Sequence, residues 1–226
     1  MSILHVLDGK PLALGRHLEP NHDPASRGFP AERASVLKTV SWQHNGQVLD
    51  QGQTGSCTGN ATVDVLMTDP LYSPARPLAG TEDDARKVYS LATHIDHYPG
   101  QWPPDDTGSN GLSAAKAAKR LGLASGYRHA FGLAHTLGAL ALGPVMVGTP
   151  WLQGMFTPGP GGVLDVSGAV AGGHEYALIG LDVEHELVTV LNSWGPTWGI
   201  NGRAYIGWTD LGRLLSQGGD CTVLVP

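Results

Sequence analysis

The chain is 226 residues long, 41% hydrophobic and 15% charged, with a formal net charge of -6. These values are typical of a folded globular protein with one large domain or two small lobes, and they leave no basic surface for nucleic acid or an anionic membrane. We therefore expect neither as a partner.

Residues 1–40 show no sustained period of two or 3.6 residues and contain Pro11, Pro20, Pro24 and Pro30. They predict an extended arm that lies across the folded part without inhibiting it. No secretory signal pattern is visible at the start of the chain. We expect a cytoplasmic protein or a component of a larger, possibly virion, assembly.

A helix is predicted to begin at Cys57 and to end before Pro70, and two more are predicted over Thr81–His94 and Leu112–Leu121. A buried helix ending near Leu142 and a strand over Val145–Val147 follow. The later strand-like runs are Tyr176–Leu181, Leu187–Asn192 and Ala204–Trp208. Helices followed by strands predict an α+β protein with two lobes.

The only cysteines are Cys57 and Cys221, so a disulfide framework is excluded. Cys221 precedes Val223 and Leu224 and is predicted to lie in a packed terminal strand. Cys57 instead follows Gln51 by six residues, with Gly52, Gly55 and Ser56 between them. A side-chain amide, close glycine turns and a cysteine at a helix start are what a thiol nucleophile with an oxyanion-binding donor requires.

This block resembles the signature of the papain family of cysteine peptidases, and a second block strengthens the resemblance. Gly173 precedes His174 at a predicted strand, and Asn192-Ser193-Trp194-Gly195 leads to Trp198-Gly199. The resemblance implies a helical left lobe, about 41–130, and a β-barrel-like right lobe, about 131–226, with the active site in the cleft between them.

The resemblance also implies a role for each residue of the quartet. Cys57 would be the nucleophile, His174 its acid and base, and Asn192 the residue that orients the imidazole. Gln51 and the Cys57 backbone N–H would bind the oxyanion, and Trp194 would shield the His174–Asn192 bond. A helix N-terminus and a protonated histidine would lower the pKa of the thiol, which predicts a resting thiolate–imidazolium pair. No cofactor is expected, and the partner would be a peptide or protein substrate.

Substrate contacts are predicted for Asn110, Gly111, Gly173 and Trp194, although Asn110-Gly111 is equally typical of a turn before a helix. Alternation along the strand predicts that Glu175 points away from the imidazole and is structural. Trp151 and Met155 are predicted to be core residues. His94 and His97 lack further ligands at suitable spacing, so no metal site is predicted.

Thr54 and Thr58 depart from the pattern of secreted family members, which indicates a bacterial- or phage-like member without disulfides. An amidase or transpeptidase acting on cell-wall or other acyl substrates would use the same thioester chemistry. A structural component of a larger assembly could keep the fold. The intact quartet favours an enzyme, because a scaffold has no need for a thiol paired with histidine.

Overall fold

The computed structural model describes residues 3–7, 9–19 and 22–226, so Pro20, one basis of the arm prediction, lies outside the described residues. The helices of the described part are α1 (Cys57–Leu66), α2 (Glu82–Ile95), α3 (Gly111–Arg120), α4 (Leu133–Leu140) and α5 (Trp208–Ser216). The strands are β1 (Ile3–Leu7), β2 (Lys10–Leu14), β3 (Val40–Ser41), β4 (Gly126–Ala130), β5 (Val145–Leu152), β6 (Val170–Asp182), β7 (Leu187–Leu191), β8 (Arg203–Gly207) and β9 (Asp220–Val225). None of the helices in these ranges is long and apolar enough to cross a membrane.

The three helices predicted for the first half of the chain are confirmed to within a residue or two at their starts. Helix α2 begins with a capping box, in which the Thr81 side chain accepts from the Asp84 N–H and the Asp84 carboxylate accepts from the Thr81 N–H. Helix α1 is buried along its whole length. It packs closely on α2 because position 59 is glycine: a Cβ there would lie 2.2 Å from the Ala85 carbonyl oxygen.

Seven strands form one antiparallel sheet in the order β4-β9-β5-β6-β7-β8, with β3 also paired to β6. The mixed helix and sheet fold is confirmed, but the expected barrel-like closure is not. Over the described residues the order is an open path that ends at β4 and β8. Strand β4 (Gly126–Ala130) belongs to this sheet, while the exact lobe boundaries stay a prediction.

Alternating residues of the central strands serve two hydrophobic cores. Met146 and Ala177 pack with α1, α2 and α3, whereas Val147 and Tyr176 pack with the core that includes residues of α4 and α5. This division follows from the period of two in a strand, which sends successive side chains to opposite faces. The sheet therefore has helices on both faces.

The N-terminal arm is not simply extended, as the sequence predicted, because β1 and β2 form an antiparallel hairpin. Leu12 and Leu14 are buried in the same core as Tyr176. The Asp8-Gly9 pair between two apolar runs is a hairpin signal that the prediction missed. After β2 the chain continues between the helices and the sheet, where residues 15–17 pair with both sides.

Candidate active site

Cys57 is the first residue of α1 and is completely buried. Its thiol lies against the backbone N–H groups of Glu175, which is on β6, and of Gly15, which is in the arm. Glu175 follows His174 in the chain, so the fold brings the helix start and the predicted histidine strand together. The positive end of the helix dipole is thus next to the thiol.

His174 is held by a hydrogen bond and by two aromatic rings. Its Nε2 atom lies 2.7 Å from Asn192 Oδ1. The imidazole stacks on Trp194 with 4.7 Å between ring centroids and meets Trp151 edge-on at 4.9 Å. Its other nitrogen, Nδ1, has no hydrogen-bond partner among the described residues. Asn192 and the two tryptophans therefore fix the ring and leave Nδ1 free to exchange a proton.

Gln51 is buried and is anchored to the loop that carries Asn192. Its Oε1 accepts a hydrogen bond from Ser193 Oγ at 2.6 Å. Its Nε2 donates to the carbonyl oxygen of Thr54 at 2.8 Å and to that of Ala13 at 3.2 Å. The amide that the sequence predicts as an oxyanion donor already holds a peptide carbonyl, and this carbonyl belongs to the arm.

Residues 13–17 of the arm run through the cleft between the helices and the sheet. On the sheet side, Arg16 donates its N–H to the Gly173 carbonyl at 3.0 Å. On the helix side, Ser109 donates to Gly15 at 2.8 Å and accepts from His17 at 3.0 Å. The arm therefore forms a strand-like plug over Cys57, contrary to the expectation that it would leave the site open.

This plug is not arranged as a substrate for the thiol. The carbonyl held by Gln51 Nε2, which also accepts from Trp194 Nε1 at 3.2 Å, belongs to Ala13. The backbone group that points at the Cys57 sulfur is the N–H of Gly15, two residues further on. Nucleophilic attack needs one carbonyl to meet both the thiol and the oxyanion donor. Here these two contacts fall on different peptide groups.

Burial reverses the ionisation that the sequence predicted for the thiol and the imidazole. Burial raises the pKa of the Cys57 thiol to about 12, and the N–H groups of Glu175 and Gly15 offset only part of this effect. Burial also lowers the pKa of His174 to about 4, although the hydrogen bond to Asn192 acts in the opposite direction. With the arm in place the pair is a neutral thiol and a neutral imidazole.

The four predicted substrate residues have different surroundings. The Gly173 carbonyl and the Trp194 indole both bind the arm backbone, at Arg16 and Ala13. Asn110 instead caps α3, because its Oδ1 accepts from the Ser113 N–H at 2.8 Å. Gly111 starts that helix and lies close to Glu175: a Cβ at position 111 would be 2.6 Å from Glu175 Oε1. Their roles toward substrate stay predictions.

Sequence reasoning missed the residues that surround the plug. Ser109 pairs with the arm backbone, and the carboxylates of Glu175 and Asp220 enclose the Arg16 guanidinium. Glu175, predicted to be merely structural, is thus part of the cleft. The unusual acidic residue directly after the catalytic-type histidine was the available signal. No sequence signal pointed to Asp220, because only strand pairing in the sheet brings it close to Glu175 and Arg16.

Other predictions about single residues can be compared directly with the structure. Trp151 and Met155 are fully buried, which confirms them as core residues, although Trp151 also touches the His174 ring. Cys221 is buried in β9 and is a free cysteine, as predicted. The described part of the chain contains no group of three or more side chains that could hold a metal ion.

Comparison with known proteins identifies the fold. No protein-family model matches the chain, and no curated protein matches it by sequence. Among solved structures, the cysteine protease xylellain from Xylella fastidiosa is 16% identical, with a TM-score of 0.64 over 94% of this chain and 95% of that chain. Digestive procathepsin L 3 of Tenebrio molitor is 15% identical, with a TM-score of 0.63 over 94% of this chain and 75% of that chain. Recombinant stem bromelain precursor is 16% identical, with a TM-score of 0.58 over 93% of this chain and 76% of that chain. The chain therefore has the fold of papain-like cysteine proteases.

Proposed function

We propose that this protein is a cysteine peptidase that its own N-terminal arm holds in a latent state. The observation that carries the proposal is the arrangement around His174: its Nε2 lies 2.7 Å from Asn192 Oδ1, and its neighbour in the chain, Glu175, contacts the Cys57 thiol. A thiol at a helix start, an oriented imidazole and a side-chain amide donor are the groups that thioester chemistry uses.

In the open enzyme, His174 Nδ1 takes the proton of Cys57, and the thiolate adds to a peptide carbonyl carbon. The Gln51 amide and the Cys57 backbone N–H stabilise the oxyanion. Collapse of the tetrahedral intermediate breaks the C–N bond, and His174 gives its proton to the departing amine. Water then attacks the thioester with His174 as base, which releases the acid product and restores the thiol. Asn192 keeps the ring in one orientation throughout.

Latency is supported by the contacts of residues 13–17. They cover the thiol, occupy the Gln51 donor and satisfy the Ser109 and Gly173 backbone groups that a substrate would need. The arm therefore has to leave before a peptide can bind. Two of the structurally similar proteins, the procathepsin and the bromelain precursor, are themselves precursor forms. This proposal replaces the expectation of an enzyme that needs no activation.

The experiment that tests the proposal is labelling with a thiol-directed epoxide probe, mapped by mass spectrometry, before and after the arm is displaced. Only the displaced form should label rapidly, and it should label at Cys57. Cys57→Ala should abolish both labelling and peptide hydrolysis, whereas Cys221→Ser should leave both nearly intact. Equal losses in the two variants would contradict the assignment. Identification of the products distinguishes hydrolysis from transfer to a second amine, the amidase or transpeptidase alternative.

A further inference from the structure

One side chain of the plug is buried in a charged pocket beside the nucleophile. The Arg16 side chain is fully buried, although a guanidinium carries a permanent charge. Its Nη2 atom lies 2.8 Å from Asp220 Oδ2 and donates to the Gly218 carbonyl at 3.1 Å. Its Nε atom lies 3.4 Å from Glu175 Oε2. Two carboxylates and a carbonyl thus surround one cation.

The residues that form the pocket belong to the sheet. Gly148 of β5 is the register partner of Glu175 on β6 and of Asp220 on β9. Directly opposed residues of antiparallel strands present their side chains on the same face. The row Glu175, Gly148, Asp220 therefore has an acid on each side of a residue without a side chain. We call this row the acidic pocket.

Glycine in the middle of this row makes the space that the arginine fills. A Cβ at position 148 would lie 1.9 Å from Arg16 Nε and 2.4 Å from Glu175 Oε2. Even an alanine would thus collide with the guanidinium stem. The room in the acidic pocket is matched to a long, flat cation.

Departure of Arg16 would leave two buried carboxyl groups, Glu175 and Asp220, without the cation that lies between them. Both carboxylates are fully buried, and neither Glu175 oxygen has a hydrogen-bond partner within the described residues. Burial raises the pKa of Glu175 well above its usual range, Asp220 raises it further, and Arg16 lowers it. A buried carboxylate that loses its partner is strongly destabilising. When Arg16 leaves, Glu175 can take up a proton, and a new cation that enters the pocket would lower its pKa again, as Arg16 does. An apolar group has no such favourable interaction with the two carboxyl groups.

We propose that the acidic pocket is a substrate subsite for an arginine side chain, and that Arg16 occupies it in the latent chain in place of that side chain. The inference rests on the proposed peptidase function. The Gly173 carbonyl binds Arg16, and Ser109 binds its neighbours Gly15 and His17. The N–H of Gly15 contacts the Cys57 thiol, so an extended peptide that pairs with Gly173 and Ser109 in the same way delivers a side chain to the same pocket. Acceptors on both sides suit the planar fork of arginine better than the compact ammonium of lysine.

The binding part of the proposal can be tested without catalysis. In the full chain, Arg16→Ala empties the pocket, and Arg16→Gln offers a second variant with more of the stem retained. Ethylguanidinium should raise the thermal midpoint of either variant in a concentration-dependent manner, ethylammonium should do so less, and the neutral ethylurea should not. The unmodified chain, whose pocket is filled, should show no specific gain. Equal effects of ethylguanidinium and ethylurea would overturn the proposal. So would a gain in thermal midpoint with ethylguanidinium that persists after Glu175→Gln and Asp220→Asn are added.

Peptide recognition is tested with the inactive double variant Arg16→Ala, Cys57→Ser after its arm has been displaced, because the arm backbone otherwise occupies Gly173 and Ser109. A peptide library should contain one position where arginine binds at least tenfold more tightly than its neutral analogue citrulline, a difference of about 1.4 kcal/mol. Gly148→Ala, introduced on this background, should remove that preference. Absence of any arginine preference would show that the acidic pocket only anchors the arm. Because these are binding measurements, failure of the peptidase proposal would appear separately, as arginine binding without hydrolysis by the Cys57 form.

Discussion

Cys57 lies beneath residues 13–17 of the arm and His174 precedes the strand residue that contacts the thiol, and burial shifts the pKa of both side chains toward their neutral forms. The sequence predicts them as a catalytic pair because each lies in a distinctive motif, and that pairing stays a prediction. It predicts the wrong ionisation for the covered state, because burial by residues 13–17 is a property of distant parts of the chain. The cluster of Arg16, Glu175 and Asp220 was missed for the same reason, because these residues are far apart in the sequence and meet only in the folded chain. Glu175 was noticed, but only as a structural residue.

The ionisation of Cys57 gives a prediction about pH. With the arm in place the thiol pKa is raised to about 12, so the proton is held and no thiolate forms near neutral pH. Displacing the arm admits water and allows His174 to become protonated, both of which favour the thiolate. The ultraviolet absorbance of thiolate, followed in a Cys221→Ser background, should therefore rise only at strongly alkaline pH in the intact chain. In the displaced form it should rise below the ordinary thiol pKa of about 8.5.

That titration has a clear contrary result. If the intact chain and the arm-displaced chain both show thiolate at neutral pH, the arm does not desolvate Cys57. Cys57→Ala in the same background serves as the control, since it should remove the thiolate signal from both forms.

The residues that support catalysis should differ in their importance once the arm is displaced. His174→Ala should be as damaging as loss of the thiol, because no other base adjoins Cys57 in the proposed mechanism. Gln51→Ala should lower kcat by on the order of 100- to 1000-fold, the usual cost of one oxyanion donor. Asn192→Ala should cost less than His174→Ala, because the rings of Trp151 and Trp194 still hold the imidazole. Steady-state kinetics on a fluorogenic peptide measures all three, and full activity in Gln51→Ala would show that another donor binds the oxyanion.

At the scale of elements, periodicity and capping residues predicted the helices well. The predicted helix Thr81–His94 is Glu82–Ile95 in the structure, and its start is set by a capping box. The sequence predicted a strand-like run over Tyr176–Leu181 with His174 at a strand opening, and β6 extends over Val170–Asp182, because the glycine residues before His174 weaken the strand pattern there. Helix α5 and strand β4 were not predicted. Strand β4 depends on its pairing with β9, and α5 depends on its contacts with β5 and β8. Local sequence pattern reports neither.

The plug itself can be loosened by one added methyl group. A Cβ at Gly15 would lie 1.9 Å from the backbone oxygen of Gly55. The Gly15 backbone cannot move far without breaking its bond with Ser109, and the Gly55 N–H is held by the Asp106 carboxylate. Gly15→Ala should therefore lift the arm and raise the labelling rate of Cys57 by on the order of tenfold or more, as a closure weakened by about 1.4 kcal/mol would. Gly28→Ala is the matched control, because its Cβ would meet only the Ala25 oxygen, at 3.6 Å. Equal labelling rates in the two variants would mean that the plug does not control access.

At the scale of the whole molecule, the arm is both a part of the core and an obstacle to function. Leu12 and Leu14 are buried in the sheet core, and burying a leucine contributes about 1.5–3 kcal/mol. Lys10 and Asp50 add a partly exposed ion pair of 3.3 Å. Composition alone predicted an arm that adds interface, and this is what the hairpin does. The path of the arm through the cleft was not predictable, because a proline-rich sequence does not show where the segment binds.

Cleavage of the arm should therefore convert a stable, silent chain into a less stable, active one. Residues 27–30 are exposed, so a recognition site for a foreign protease can be inserted after Gly28. After the cut, the arm is held only by its noncovalent contacts. It no longer has the high effective concentration of a tethered segment, so dilution lets it dissociate. Peptidase activity should thus appear after cutting and dilution, and adding back a peptide of residues 1–28 should suppress it. The thermal midpoint should fall as Leu12 and Leu14 leave the core.

The same site inserted at the exposed turn 184–186 provides a cut chain that should stay silent. An uncut chain that is fully active, or a cut and diluted chain that still fails to label at Cys57, would show that the arm is not the element that holds this enzyme latent.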